Sequence, residues 1–111
     1  MNDAKFDDYQ KESQRTARVG MDFNTRLAVA ALGLAGEAGE AADCVKKHLG
    51  QGHELDTLRI LGEMGDVLWY LAELATILDA DLSAVARLNQ AKLAIRYRDT
   101  FTVNESINRQ T

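Results

Sequence analysis

Between Leu27 and Leu49 apolar residues return at alternating steps of three and four, as Leu27, Ala31, Leu34, Ala38, Ala41, Val45 and Leu49. That is the period of one face of an α-helix, and a strand pattern would need steps of two. The spacing predicts a helix over about Thr25 to His48, roughly 30 Å long at 1.5 Å per residue. Asn24 is placed to cap its start, Lys46, Lys47 and His48 suit the negative end of its dipole, and Gly50 is placed to stop it. The 111 residues contain no proline, and alanine and leucine recur throughout, so nothing in the chain interrupts helix. The fold class this implies is all-α.

Three further helices follow from the same signals. Residues from about Asp3 to Arg18 carry Phe6, Tyr9 and Ala17 among charges, which predicts a mostly exposed amphipathic helix ending near Gly20. A loop at Gly50–Glu54 precedes a helix from about Asp56 to Leu78, whose Val67–Ala72 run is apolar on every side and asks for more than one neighbour. Asp81 is placed to cap a fourth helix carrying Leu82, Val85, Leu88 and Leu93, ending near Tyr97. Two long helices joined by a short loop predict the centre of an antiparallel bundle of about four helices. Residues 1–98 read as a single domain, with 99–111 as an irregular arm. A domain of this length hides only about two-thirds of its unfolded surface, so completion of the core by oligomerisation, as a homodimer or homotetramer, is expected.

The formal net charge of −4 lacks the basic surface that phosphate-backbone contact needs, so no nucleic-acid polymer is expected as a partner. Cys44 is the only cysteine and suits a reduced, packed thiol. Residues 1–20 are polar and charged, and no apolar run approaches the length of a membrane span. No signal peptide and no membrane association are therefore expected, and the compartment is read as cytoplasmic.

Chemistry concentrates on the two long helices. Gly33, Gly36 and Gly39 recur every third position in a segment otherwise built for helix, at a cost of roughly 2–3 kcal/mol relative to alanine. Close helix packing explains that cost, as does room for a ligand. Glu37 and Glu40 share one face of their helix, and Glu63 and Asp66 repeat the spacing on the next. Antiparallel packing brings the four together, where they repel unless a divalent cation neutralises them. Hard oxygen donors of this kind suit Mg2+, with Mn2+ as a substitute. A solvated acidic face is the ordinary alternative. It is disfavoured because only Glu63 has a basic residue, Arg59, one turn away in its own helix. His48 and His53 read as surface residues, Trp69 as core more than as a stacking platform, and Phe6, Tyr9, Gln14 and Arg15 as weak candidates to border a base.

The segments Gly33-Leu34-Ala35-Gly36-Glu37-Ala38-Gly39-Glu40, Glu63-Met64-Gly65-Asp66-Val67-Leu68-Trp69-Tyr70 and Asn89-Gln90-Ala91-Lys92-Leu93 with Arg96-Tyr97 resemble the MazG-like all-α NTP pyrophosphohydrolases. The resemblance spans roughly residues 25–101. It implies hydrolysis of a nucleoside triphosphate between its α- and β-phosphates, giving the monophosphate and pyrophosphate. By that resemblance Glu37, Glu40, Glu63 and Asp66 are the magnesium ligands. Glu37 or Glu40 would be the catalytic base that takes the water's proton. Lys92 and Arg96 would add charge for the phosphates, with Asn89 one turn earlier, a plain solvated helix surface being the alternative, and Tyr97 is placed to stack, to hydrogen-bond or to close the core. Gly36 stands where many members carry another glutamate, so the number of metals and the choice of base stay open. Two other readings compete: a non-catalytic helical module that oligomerises and binds a partner protein, and a phosphoribosyl-nucleotide pyrophosphohydrolase of the same architecture. The preferred base and sugar do not follow from the sequence.

Overall fold

The computed structural model of the chain describes residues 3–97 and 102–108. These residues are helical, with no strand among them: α1 (Asp3–Ser13) runs into a 3-10 turn at Gln14–Thr16, and α2 (Phe23–Gln51), α3 (Thr57–Ile77), α4 (Leu82–Arg96) and a short α5 (Val103–Ile107) follow.

The long helix begins earlier and ends later than its apolar stripe. Asp22, not Asn24, is the cap: its carboxylate accepts the Thr25 N–H at 2.8 Å, which moves the start back to Phe23. At the other end the helix continues through Gly50. It stops at Gly52, whose φ of 72° is the left-handed conformation that glycine adopts without a Cβ penalty. Asp56 caps α3 by accepting the Arg59 N–H at 3.1 Å.

Residues of α2 and α3 meet in a descending register. Arg26 meets Glu73, Gly33 meets Tyr70 and Glu40 meets Arg59, so the two helices are antiparallel. A Cβ on Gly33 would lie 2.3 Å from the Tyr70 ring, whereas Gly36 and Gly39 have open space beside them. The close-packing explanation thus belongs to one glycine of the three.

The first helix is not the exposed element its charges predict. Gln10 and Ser13 are buried, and the Gln10 amide donates to Thr76 Oγ1 at 3.0 Å and to the Ala80 carbonyl at 2.9 Å. Its oxygen accepts the Leu82 N–H at 2.7 Å, and Asp7 accepts the Ser83 N–H at 3.1 Å and the Ser83 hydroxyl at 3.0 Å. The free amides at the start of α4 are thus satisfied by α1, while Asp81, which occupies the cap position, makes no side-chain cap bond. An amphipathic pattern searches for apolar contacts and overlooks docking carried by an amide and a carboxylate. In the C-terminal arm, expected to be irregular, Thr102 caps α5 by accepting the Glu105 N–H at 3.1 Å. The expected boundary at 98/99, and Phe101, lie outside the described residues.

Among the described residues the buried apolar core is small, consisting of Ala30, Ala72, Ala75 and Leu82. The α3 run expected to be enclosed is only half covered, with Leu68 and Leu71 exposed at 36% and 37%. The accessible surface is 8220 Å², against about 6100 Å² for a typical folded monomer of this mass. The radius of gyration is 16.8 Å, against roughly 13 Å for a compact domain of this length. No helix among the described residues is long and apolar enough to cross a membrane.

Candidate metal centre

Antiparallel register places the second turn pair of α3 opposite the middle of α2. There Glu37, Glu63 and Asp66 each offer a carboxylate oxygen, and the three atoms lie within 4.8 Å of one another. Glu37 and Glu63 are half-buried and Asp66 is exposed. Ionised together, the three would repel. The Glu37 carboxyl is accordingly pushed up to about 7, first by a hydrogen bond shared with Glu63, then by desolvation and by the charges of Asp66, Glu63 and Glu40. A carboxyl group that holds its proton near neutrality beside two other carboxylates marks a site short of positive charge. The oxygen-only donor set and its convergence from two rigid helices fit a hard divalent cation.

Glu40 stands apart from these three. Its Oε2 is 3.6 Å from Nη2 of Arg59, with both side chains about half exposed, although its charge still reaches Glu37. The cross-helix partner was invisible to a search for basic residues one turn away in the same helix. Lys47, further along α2, is tied to Asp43 at 2.9 Å.

Beside the carboxylates opens a cleft of about 340 Å³ lined by Glu37, Asp66, Trp69 and Tyr70. A second cleft, of about 230 Å³, shares Trp69 and Tyr70 and adds Arg18, Met21, Arg26, Val29 and Glu73 among its walls. The two rings meet edge to face with centroids 5.1 Å apart. Trp69 is half-buried, and its indole N–H donates to the Ser13 carbonyl at 3.2 Å and to Thr16 Oγ1 at 3.0 Å. It is a half-covered wall of both clefts rather than part of the buried core. Tyr9 approaches from α1: burial, and then the nearby Asp66 carboxylate, push its phenol up.

The other predicted positions are distributed unevenly. Asn89 and Lys92 are exposed and Arg96 and Tyr97 half-buried on α4, which packs against α1 and α3. Among the described residues no hydrogen bond or ion pair joins Asn89, Lys92 or Arg96 to the carboxylates. Gln14 is engaged by Arg26 and Glu73, and Arg15 pairs with Glu12 on the surface. His48 Nδ1 lies 2.8 Å from the His53 carbonyl, so that nitrogen carries the proton. One cluster went unforeseen: Arg26 reaches Glu73 at 2.6 and 3.2 Å, and Glu73 is only 4% exposed. A single glutamate inside Leu71-Ala72-Glu73-Leu74-Ala75 was the available sign, since such a residue is almost never buried without a partner.

Residues 27–101 match the MazG nucleotide pyrophosphohydrolase domain, a stretch that takes in nearly all of α2, the whole of α3 and α4, and all four carboxylates. The chain belongs to the MazG family. Gene 37 protein of Mycobacterium phage L5 is 43% identical over 74 residues, spanning 63% of this chain and 65% of that protein, a little under two-thirds of its length. No solved structure matches. In this MazG domain Glu37 comes from α2 and Glu63 and Asp66 from α3, so the acidic cluster is shared between the two facing helices.

Proposed function

We propose that this MazG domain is a nucleoside triphosphate pyrophosphohydrolase dependent on a divalent cation, Mg2+ with Mn2+ as a substitute, that cleaves between the α- and β-phosphates. The observation that carries it is the convergence of Glu37, Glu63 and Asp66 within 4.8 Å beside an open cleft walled by Trp69 and Tyr70. Glu37, Glu63 and Asp66 would hold the cation, with Glu40 as the fourth donor. When bound, such a cation neutralises phosphate charge and makes water easier to deprotonate. The rest falls to the protein. Glu37 or Glu40, whichever is less engaged, takes the proton of the attacking water. Trp69 and Tyr70 wall the cleft against bulk water on the side away from Arg59. Lys92 and Arg96, with Asn89 and Tyr97, are the proposed phosphate-side residues.

A second copy of the chain is part of this proposal. Leu58 (82% exposed), Leu61 and Met64 lie open on α3 beside the half-covered Leu68 and Leu71. A homodimer, or a tetramer built from dimers, covers that face, and its α4 is a second source of basic residues for the carboxylate cleft. Light scattering at micromolar concentration is expected to give a dimer or tetramer; a stable monomer counts against the assembly.

The decisive experiment is a panel of canonical and modified (d)NTPs, with a phosphoribosyl nucleotide included, incubated with Mg2+. The expected products are monophosphate and pyrophosphate, formed only with the cation and at least about a hundredfold slower in Asp66→Asn. Release of orthophosphate and a diphosphate, or turnover indifferent to metal, overturns the assignment.

A further inference from the structure

We infer that Arg59 is a positioning residue that holds Glu40 off the other three carboxylates until a divalent cation displaces it. The inference rests on the metal-site reading above and extends it to a residue outside the acidic motifs. Glu40 lies one helical turn from Glu37 on the same face of α2, so sequence spacing alone would bring it to Glu37, Glu63 and Asp66. Its oxygen is not among the atoms that converge within 4.8 Å, and the residue that draws it aside is Arg59, across the helix pair.

Arg59 is suited to hold and to release. Its backbone is fixed by the Asp56 cap, so the guanidinium projects from a rigid first turn. The contact itself is loose: at 3.6 Å and about half exposed on both sides, it is the kind of surface pair that contributes little and yields to a stronger counter-charge. Open space also lies on the facing helices, since beyond their immediate neighbours nothing comes within 4 Å of a Cβ built at Gly36, one turn before Glu40, or at Gly62. Lys47 does not stand in for Arg59, being paired with Asp43. Arg59 thus sets a cost on recruiting the fourth donor, and the cation overcomes it.

Mn2+ binding followed by electron paramagnetic resonance tests this without substrate or turnover. Arg59→Gln is expected to tighten Mn2+ about 1.4- to fivefold, the range corresponding to an exposed ion pair of ~0.2–1 kcal/mol, and Arg59→Lys to stay near the parent. Removing a positive charge near any cation site tightens it somewhat, so the deciding comparison is made in Glu40→Gln, where Arg59→Gln is expected to tighten Mn2+ by clearly less than in the parent, through that general charge effect alone. An equal tightening in that background, or none in the parent, overturns the role of Arg59 while leaving the metal site intact. A parent protein that binds no Mn2+ overturns the site and this inference together.

Discussion

Tyr70 fills the space that any side chain at Gly33 would need: a Cβ there would lie 2.3 Å from both Cε1 and Cζ of the ring. Alanine normally gains up to about 1 kcal/mol over glycine inside a helix. At this position the ring has to move, and overpacking of that kind costs roughly 1–3 kcal/mol. Gly33→Ala is therefore expected to lower the melting temperature, while Gly36→Ala, with open space beside it, raises it in the isolated protomer. Thermal melts of the two variants check this, and a Gly33→Ala protein as stable as the parent would refute the packing. Combining Gly33→Ala with Tyr70→Ala is expected to remove most of the Gly33 penalty.

The buried pair of Arg26 and Glu73 predicts unequal losses. Glu73 side-chain exposure is 5% and that of Arg26 is 28%, so arginine can turn to water when its partner is lost and glutamate cannot. Arg26→Ala is expected to cost about 3 kcal/mol or more, as a stranded buried charge does, and Glu73→Gln about 1–2 kcal/mol. Urea denaturation measures both. Equal losses would mean that the carboxylate finds water or another donor.

Glu37 predicts a pH dependence whose sign depends on metal. Its carboxyl titrates near 7 in the folded protein against an ordinary 4.5, so the folded state holds the proton more tightly than the unfolded one. The stability this contributes is full below about 4.5 and is lost as pH rises through about 7. Metal-free protein should lose melting temperature between pH 5 and 8 by a component absent from Glu37→Gln. With saturating Mg2+ the sign reverses, because cation and proton compete for the same oxygens. A parent and a Glu37→Gln variant with the same pH slope would disprove the shift.

The acidic motifs were legible because helical spacing alone puts Glu37 with Glu40 and Glu63 with Asp66, and a short loop between long helices leaves only antiparallel packing to join them. What spacing does not carry is competition between partners. Glu40 has a neighbour in Glu37 and a rival in Arg59, and their relative pull is set by cross-helix distance. The docking of α1 was hidden for a related reason. Gln10 and Asp7 look like surface residues until the amides they satisfy are known, and those belong to Leu82 and Ser83, more than 70 positions away.

Lys92 and Arg96 predict a kinetic effect without a folding one. Alanine at either position is expected to lower kcat/KM by roughly 10- to 100-fold, the worth of a charge-assisted phosphate contact of ~1.5–3 kcal/mol. The melting temperature should stay within a degree or two of the parent, since neither side chain belongs to the buried core. Unchanged kinetics in both variants would remove α4 from the phosphate side.

Because the start of α4 is satisfied from α1, α1 cannot complete its contacts until Leu82 and Ser83 have been made. Leu82 lies 72 residues beyond Gln10. At ribosomal speeds of about 5–20 residues per second, that interval is roughly 4–14 seconds during which the Gln10 carbonyl and the Asp7 carboxylate lack the amides they accept in the fold. The α2–α3 pair, whose partners are separated by one short loop, forms within that interval. Closure of α1 over α4 therefore waits on residues made more than 70 positions later, and the two helices lock each other through Gln10 and Asp7.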